Sequence, residues 1–79
     1  MLYRALDEAR RQHDAGERDA DQSRAAMRSV LQGEPSACED YVSAADPETL
    51  VELEKIRDRV LLSLGVKIGK TRLIDNLLL

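Results

Sequence analysis

The chain has 79 residues, with 12 Lys and Arg against 15 Asp and Glu, one His, one Cys, two Tyr and neither Phe nor Trp. A net charge of −3 gives no electrostatic footprint for nucleic acid. A lone Cys excludes an intrachain disulfide, and one His with one Cys cannot complete a zinc site. No apolar run approaches the ~20 residues of a membrane span, and the N-terminus lacks a signal-peptide core. The sequence therefore predicts a soluble, cytoplasmic, acidic domain spanning residues 1–79, with no nucleic-acid or membrane partner. Leu, Ile and Val together number 20, enough for a folded but marginal core.

The first half is polar and Ala-rich and reads as two helices. Leu2, Leu6, Ala9 and His13 recur at helical spacing, and Asp7 precedes Arg11 in the favourable order for a surface ion pair. Ala15-Gly16 supplies the stop, since glycine tolerates the left-handed conformation that closes a helix. A second helix is expected from Asp19 or Asp21, either of which could cap it, to Gln32. Ala20, Arg24, Met27 and Val30/Leu31 share its stripe, and Gly33-Glu34-Pro35 ends it. Both stripes are narrow, so each helix needs a surface to lie on.

After Pro35 the period changes. Ala37 to Ala45, with Tyr41 and Val42, reads as a first strand. Asp46-Pro47-Glu48 is a helix-start signal, and Leu50, Leu53 and Ile56/Arg57 predict a short helix of one or two turns. From Val60 to Ile68 apolar residues alternate strictly: Val60, Leu62, Leu64, Val66 and Ile68 on one face, Leu61, Ser63, Gly65 and Lys67 on the other. Gly69-Lys70 is a two-residue loop of the type II′ kind. A hairpin closed there pairs Ile68 with Thr71, Val66 with Leu73, Leu64 with Asp75, Leu62 with Leu77 and Val60 with Leu79. One sheet face is then apolar except for Asp75, which must find donors or lie at the rim. The expected fold is α+β: two N-terminal helices packed on one face of a three-stranded antiparallel sheet that ends in a C-terminal β-hairpin. The first strand could join either edge of the hairpin.

Few residues point to chemistry. Gly65 to Thr71 imitates a phosphate-binding loop, but such a loop needs four residues between its glycines and must run from a strand into a helix. Here three intervene and Arg72-Leu-Ile-Asp-Asn reads as strand, so the segment is a hairpin turn. His13 reads as an exposed residue at a helix end, and Cys38 as a small buried or edge hydrophobe. The acids Glu39, Asp40, Asp46, Glu48, Glu52 and Glu54 lack the spacing of a calcium loop and read as a solvated face. The sequence offers no catalytic, cofactor-binding or metal-ligating residue.

Gly69-Lys-Thr-Arg-Leu-Ile-Asp-Asn76 resembles the closing motif of the pantothenate synthetase (pantoate–β-alanine ligase) family. Other segments agree in order: Leu2-Tyr-Arg-Ala-Leu6 with the first helix of the family's C-terminal domain, Asp40-Tyr-Val42 with its Asp-Tyr strand, and Asp46-Pro-Glu-Thr-Leu50 with the turn that follows. One departure stands just before the motif, where Leu62-Ser-Leu-Gly-Val-Lys67 replaces an alanine-containing segment. The resemblance covers nearly all of this chain but only the smaller, C-terminal part of a family member. It implies an α+β lid over the active site of an ATP-dependent ligase that condenses pantoate with β-alanine through a pantoyl-adenylate. The family's His-containing adenylation motif, catalytic Lys and Ser-Ser-Arg-Asn segment lie ahead of this stretch, so no catalytic residue carries over. The chain alone is then expected to be silent, with ATP and magnesium implied for the full-length enzyme and its N-terminal nucleotide-binding domain as partner.

Lys70 and Arg72 are the cations available to face substrate, although Arg72 opposite Lys67 also reads as a solvated pair of charges. The alternative is a small stand-alone interaction or dimerisation module, motivated by Leu78, Leu61 and Ile74 on the face away from the helices. Of the 20 large aliphatics, 15 lie from Leu50 onward. A sheet so over-supplied reads as part of something larger.

Overall fold

The computed structural model describes residues 2–79. Helices α1 (Leu2–Asp14) and α2 (Ala20–Gln32) precede strands β1 (Ala37–Ala45), β2 (Leu61–Ile68) and β3 (Thr71–Leu78). The strands form one antiparallel sheet in the order β1-β2-β3. This is the α+β arrangement the periodicity predicts, and it settles which edge of the hairpin the first strand joins. The strand with the most regular alternation, β2, takes the centre, where both its edges are paired.

Helix α1 buries Ala5, Leu6 and Ala9. It closes at Gly16, whose φ of +104° is the left-handed conformation glycine adopts without steric cost. Gly16 N–H donates to His13 C=O at 3.1 Å and Glu17 N–H to Gln12 C=O at 2.9 Å, which satisfies carbonyls that the helix leaves unpaired. Asp19, rather than Asp21, caps α2: its carboxylate accepts from the Asp21 N–H at 3.0 Å. The surface pairing on α1 differs from the expected Asp7–Arg11. Asp7 pairs with Arg10, and Glu8 with Arg11 at 3.5 Å, because each acid has a cation three residues on.

The hairpin register is the expected one throughout, from Ile68 opposite Thr71 to Leu61 opposite Leu78. Val60 and Leu79 extend it, exchanging backbone hydrogen bonds of 3.1 and 2.9 Å. At the turn Gly69 has φ +60°. Only this first central position needs positive φ, as a type II′ turn requires. β1 pairs with β2 through a bulge, with Glu39 opposite Val66 and Tyr41 opposite Gly65, leaving Asp40 as the extra residue.

The short helix expected after Asp46 does not form. The capping signal acts: Asp46 Oδ1 accepts from Glu48 N–H at 2.8 Å and Thr49 N–H at 3.0 Å, and Leu50 N–H reaches Asp46 C=O at 2.8 Å. After that single turn Leu50 adopts φ +62° and the chain reverses. Asp46 N–H then donates to Val51 C=O, Leu53 N–H to Ala44 C=O, and Ile56 N–H to Arg18 C=O at 2.7 Å. These partners on β1 and ahead of α2 replace the ones a helix would have supplied internally. Spacing of Leu50, Leu53 and Ile56 fits one face of a helix, but only Ile56 is buried and Leu53 partly so, while Leu50 and Val51 are exposed.

Leu6, Met27, Leu31, Val42, Ile56, Val60, Leu62, Leu64 and Val66 form the core together with buried alanines. Both helices lie on the face that presents Leu62, Leu64 and Val66. Small residues on the helices let them approach each other and the sheet, so the narrow stripes suffice because β2 supplies most of the bulk.

Candidate functional site

The strand period puts Leu61, Ser63, Gly65 and Lys67 of β2 on the face opposite the helices. Pairing sets Leu78, Asn76, Ile74 and Arg72 of β3 beside them, and Ala45, Ser43, Tyr41 and Cys38 of β1 on the other side. Read across the strands, this outer face has an apolar row (Ala45, Leu61, Leu78), a polar row (Ser43, Ser63, Asn76), a mixed row (Tyr41, Gly65, Ile74) and a charged row at the hairpin end. Gly65 has a specific reason: a Cβ there would lie 2.6 Å from Cε1 of Tyr41, whose ring covers it.

The two cations expected to face substrate lie at the hairpin end. Arg72 Nη2 crosses β2 to reach Asp40 Oδ2 at 2.6 Å. The bulge that makes Asp40 the extra residue of β1 permits this contact, so the partner of Arg72 is a carboxylate and not the expected solvated contact with Lys67. Both members are partly exposed, so the pair holds geometry more than it stabilises. Lys70 occupies the exposed tip of the turn. Asp75, the one charge on the apolar face, lies exposed on β3 and its Oδ1 accepts from the Asn76 N–H at 2.8 Å.

Two single residues depart from or sharpen their expected places. His13 is not the exposed helix-end residue expected: its side chain is only 17% exposed and Nε2 is buried without a hydrogen-bond partner. As the fourth member of the Leu2–Leu6–Ala9 stripe it is carried inward by the helical period. Cys38 is exposed on β1.

The acids expected to form a solvated face are instead partly engaged. Glu39 pairs with Arg28 at 3.2 Å, Asp40 with Arg72, and Glu52 with Arg24 at 3.0 Å. Among the described residues no three His, Cys, Asp or Glu converge as metal ligands.

Arg24, a member of the α2 stripe with no partner evident in the sequence, is the organising residue. Its side chain is 12% exposed, and its guanidinium donates to Glu52 Oε1 (3.0 Å), Asp21 Oδ1 (2.8 Å), Ala44 C=O (3.0 Å) and Leu53 C=O (2.6 Å). It thus ties α2, β1 and the irregular segment together. Glu52 completes the knot by accepting from the Ser43 hydroxyl and from Ala44 N–H at 3.2 Å. Partial burial pushes the Glu52 carboxyl up, but Ser43, Ala44 and Arg24 together hold it below the usual range. The N–H groups of Thr49 and Glu48 hold the Asp46 carboxyl low as well. The available signal was an Arg in the centre of an otherwise apolar helix stripe, where a charge must have buried partners.

Two clefts remain. One of about 380 Å³ is lined by the acids Asp46, Glu48 and Asp58 together with the cations Lys55, Arg57 and Arg59. The other, about 330 Å³, runs between α1 and β3, with Leu6 and Leu77 among its walls and Tyr3, Asp7, Arg10 and Asp75 around them. No helix is long and apolar enough to cross a membrane among the described residues.

Residues 1–78 match the family model described as pantoate-beta-alanine ligase. Pantothenate synthetase of Chloroflexus aurantiacus (strain J-10-fl) is 58% identical over 80 residues, a match that covers 100% of this chain and 28% of that protein. Pantothenate synthetase of Roseiflexus castenholzii is 52% identical over 79 residues, again with 28% of its length covered. The crystal structure of pantothenate synthetase from Thermus thermophilus superposes with a TM-score of 0.88 at 30% identity, covering 96% of this chain and 27% of that one. The chain therefore spans little more than a quarter of the length of these relatives.

Proposed function

The chain belongs to the pantoate-beta-alanine ligase family, and on that premise we propose that it is the C-terminal lid of a pantothenate-forming ligase. In this reading the whole enzyme uses ATP to condense pantoate with β-alanine through a pantoyl-adenylate, in the cytoplasm and on the route to coenzyme A. The rest of the enzyme, including a nucleotide-binding domain, carries the chemistry, and this chain caps the site. The observation that carries the reading is the match of the whole chain to about a quarter of each relative, with the Gly69–Asn76 motif on a tight hairpin.

The residues present do not fit a nucleotide–magnesium site of their own. Gly65 to Thr71 forms a strand and a reverse turn, not the strand-to-helix loop that cradles phosphate. ATP and magnesium are therefore assigned to the remainder of the enzyme. Lys70 and Arg72 are the cations that the lid would present toward an anionic substrate, Arg72 oriented by Asp40 and Lys70 at the free tip.

The test is a pantothenate-formation assay on this chain, on the complementary portion of the Chloroflexus enzyme, and on both together. No product is expected from this chain alone, and activity is expected to rise when the two are combined. Turnover by the isolated chain above a blank would overturn the reading. In the combined sample Lys70→Ala should raise KM by about tenfold, the cost of one charge-assisted hydrogen bond, with kcat little changed. The exposure of Ile74 and Leu78 favours a second reading, a stand-alone interaction module, which the absence of any effect on mixing would support.

A further inference from the structure

The sheet has two edges, and among the described residues the chain's own backbone covers only the end of one, at Ala44 and Ala45 of β1. Beside β1, the irregular segment donates Leu53 N–H to Ala44 C=O and forms a bridge between Glu52 and Ala45, and the bulge at Asp40 interrupts what remains. β3 pairs with β2 without a bulge, and its other side is open along its length. Hydrogen-bonded pairing of Val60 with Leu79 fixes the phase of the ladder. In an antiparallel pair the bonded positions alternate. Leu73, Asp75 and Leu77 therefore bond inward to β2, whereas Arg72, Ile74, Asn76 and Leu78 direct their N–H and C=O groups outward. Asp75 occupies one of those outward donors, the N–H of Asn76.

Between the exposed Arg72, Asp75 and Asn76, this edge carries exposed apolar side chains: Ile74 57% and Leu78 46% on the outer face, Leu73 37% on the helix side, and Tyr3 of α1 72%. They account for four of the six large hydrophobic residues exposed among those described, the others being Leu50 and Val51 in the turn. A regular edge strand with such a surround is a template for another polypeptide unless something covers it.

We infer that the open edge of β3, with Tyr3, Leu73, Ile74 and Leu78 around it, is the surface on which the remainder of the ligase docks. This rests on the reading of the chain as one part of a longer enzyme. Two observations select that occupant over a second copy. The relatives extend to more than three times the matched length, and a preceding segment would arrive at the first turn of α1. There Tyr3 shares a cleft with Asp75, Asn76 and Leu77. Against a second copy stands Asp75, a charge in the middle of the edge strand. In a twofold pairing of β3 with itself, the Asp75 carboxylates either meet or are set beside leucine, the arrangement that blocks edge-to-edge association.

Amide exchange measured residue by residue tests this. A full-length chimera is made by replacing the matching 80 residues of the Chloroflexus aurantiacus enzyme with this chain, and is compared with the isolated chain. The outward amides of Arg72, Ile74 and Leu78 should exchange at least about tenfold more slowly in the chimera. Equal exchange in a chimera that makes pantothenate would overturn the docking surface and leave the proposed function standing. Protection in a chimera that makes none would support the docking surface and remove the lid role. Should the chimera not fold, the isolated chain is titrated with the complementary portion of the Chloroflexus enzyme. Protection at 71–78 supports the inference, and protection confined to 37–45, or none, overturns it. Protection of 71–78 that grows with the concentration of the isolated chain alone would assign the edge to a second copy and overturn it too.

Discussion

The two edge strands of this sheet solve one problem in opposite ways. β1 carries a bulge, charged residues at Glu39 and Asp40, and a stretch of the chain's own backbone laid beside it. β3 has unbroken pairing on one side, an open other side and exposed aliphatic residues on both faces. The difference teaches that covering an edge costs sequence. The covering of β1 consumes the irregular segment between β1 and β2, the strained backbone at Leu50 and the Arg24–Glu52 knot. β3 has no such device apart from Asp75, which suits a surface meant to be covered by another part of a larger protein.

The largest effect expected concerns burial across the sheet. Leu64 is fully buried at the centre of β2, whereas Leu73, on the same face of β3, is more than a third exposed. Leu64→Ala should cost about 3 kcal/mol of unfolding free energy, and Leu73→Ala less than about 1 kcal/mol, both read from urea unfolding. Equal losses would mean that the edge is as buried as the centre and that the contrast between them is wrong.

The covering of β1 can be undone from its side-chain knot. Arg24→Met keeps the apolar stem but removes the guanidinium donor to the Leu53 carbonyl and one of the two donors to the Ala44 carbonyl, which keeps the Leu53 N–H. The expected loss is about 2 kcal/mol, from hydrogen bonds to a charged group. Amides of 51–54 should lose exchange protection while those of β3 keep theirs.

Glu52 gives the same knot a pH dependence. Its carboxyl is held below the ordinary value of 4.5, so the folded state binds fewer protons there than the unfolded chain does. Its contribution is present above that value and disappears as pH falls through the lower, folded one. A Glu52→Gln variant should therefore be less stable than the parent at pH 7, with the gap closing in acid.

The smallest effect lies at Leu50. A leucine at φ +62° is held in a conformation that glycine adopts freely. Leu50→Gly should stabilise the fold by about 0.5 kcal/mol, the relief of strain exceeding the added flexibility of the unfolded chain. A destabilised variant would show that this exposed side chain has a packing role the turn conceals.

Much of this was legible in the residues themselves. Strict alternation from Val60 to Ile68 and the Gly69-Lys70 turn fixed the hairpin and its register, because a slip of one residue would turn every aliphatic to the wrong face. Gly16 and Asp19 closed one helix and opened the next as their chemistry requires. The segment from Asp46 to Ile56 was misread because apolar residues three apart serve a helix and an irregular strand alike, and local sequence does not show which backbone partners lie nearby. His13 departs from its expected exposure for the opposite reason: it is polar, but it sits in a helical stripe that the fold turns inward, as Arg24 does.

At the hairpin end, the motif that carries the family resemblance was visible as a run of letters, but the pairing of Arg72 with Asp40 was not. That contact joins residues 32 positions apart across an intervening strand and depends on a single bulge. By itself the sequence determined the two helices, the three strands, the hairpin register and the apolar face, since these follow from periods and turns spanning a few residues. Tertiary structure alone decided at which edge of the sheet the chain lays its own backbone, beside Ala44 and Ala45, and which edge it leaves open. That choice rests on contacts between distant segments, where one half-buried arginine and one reversed turn outweigh local preference.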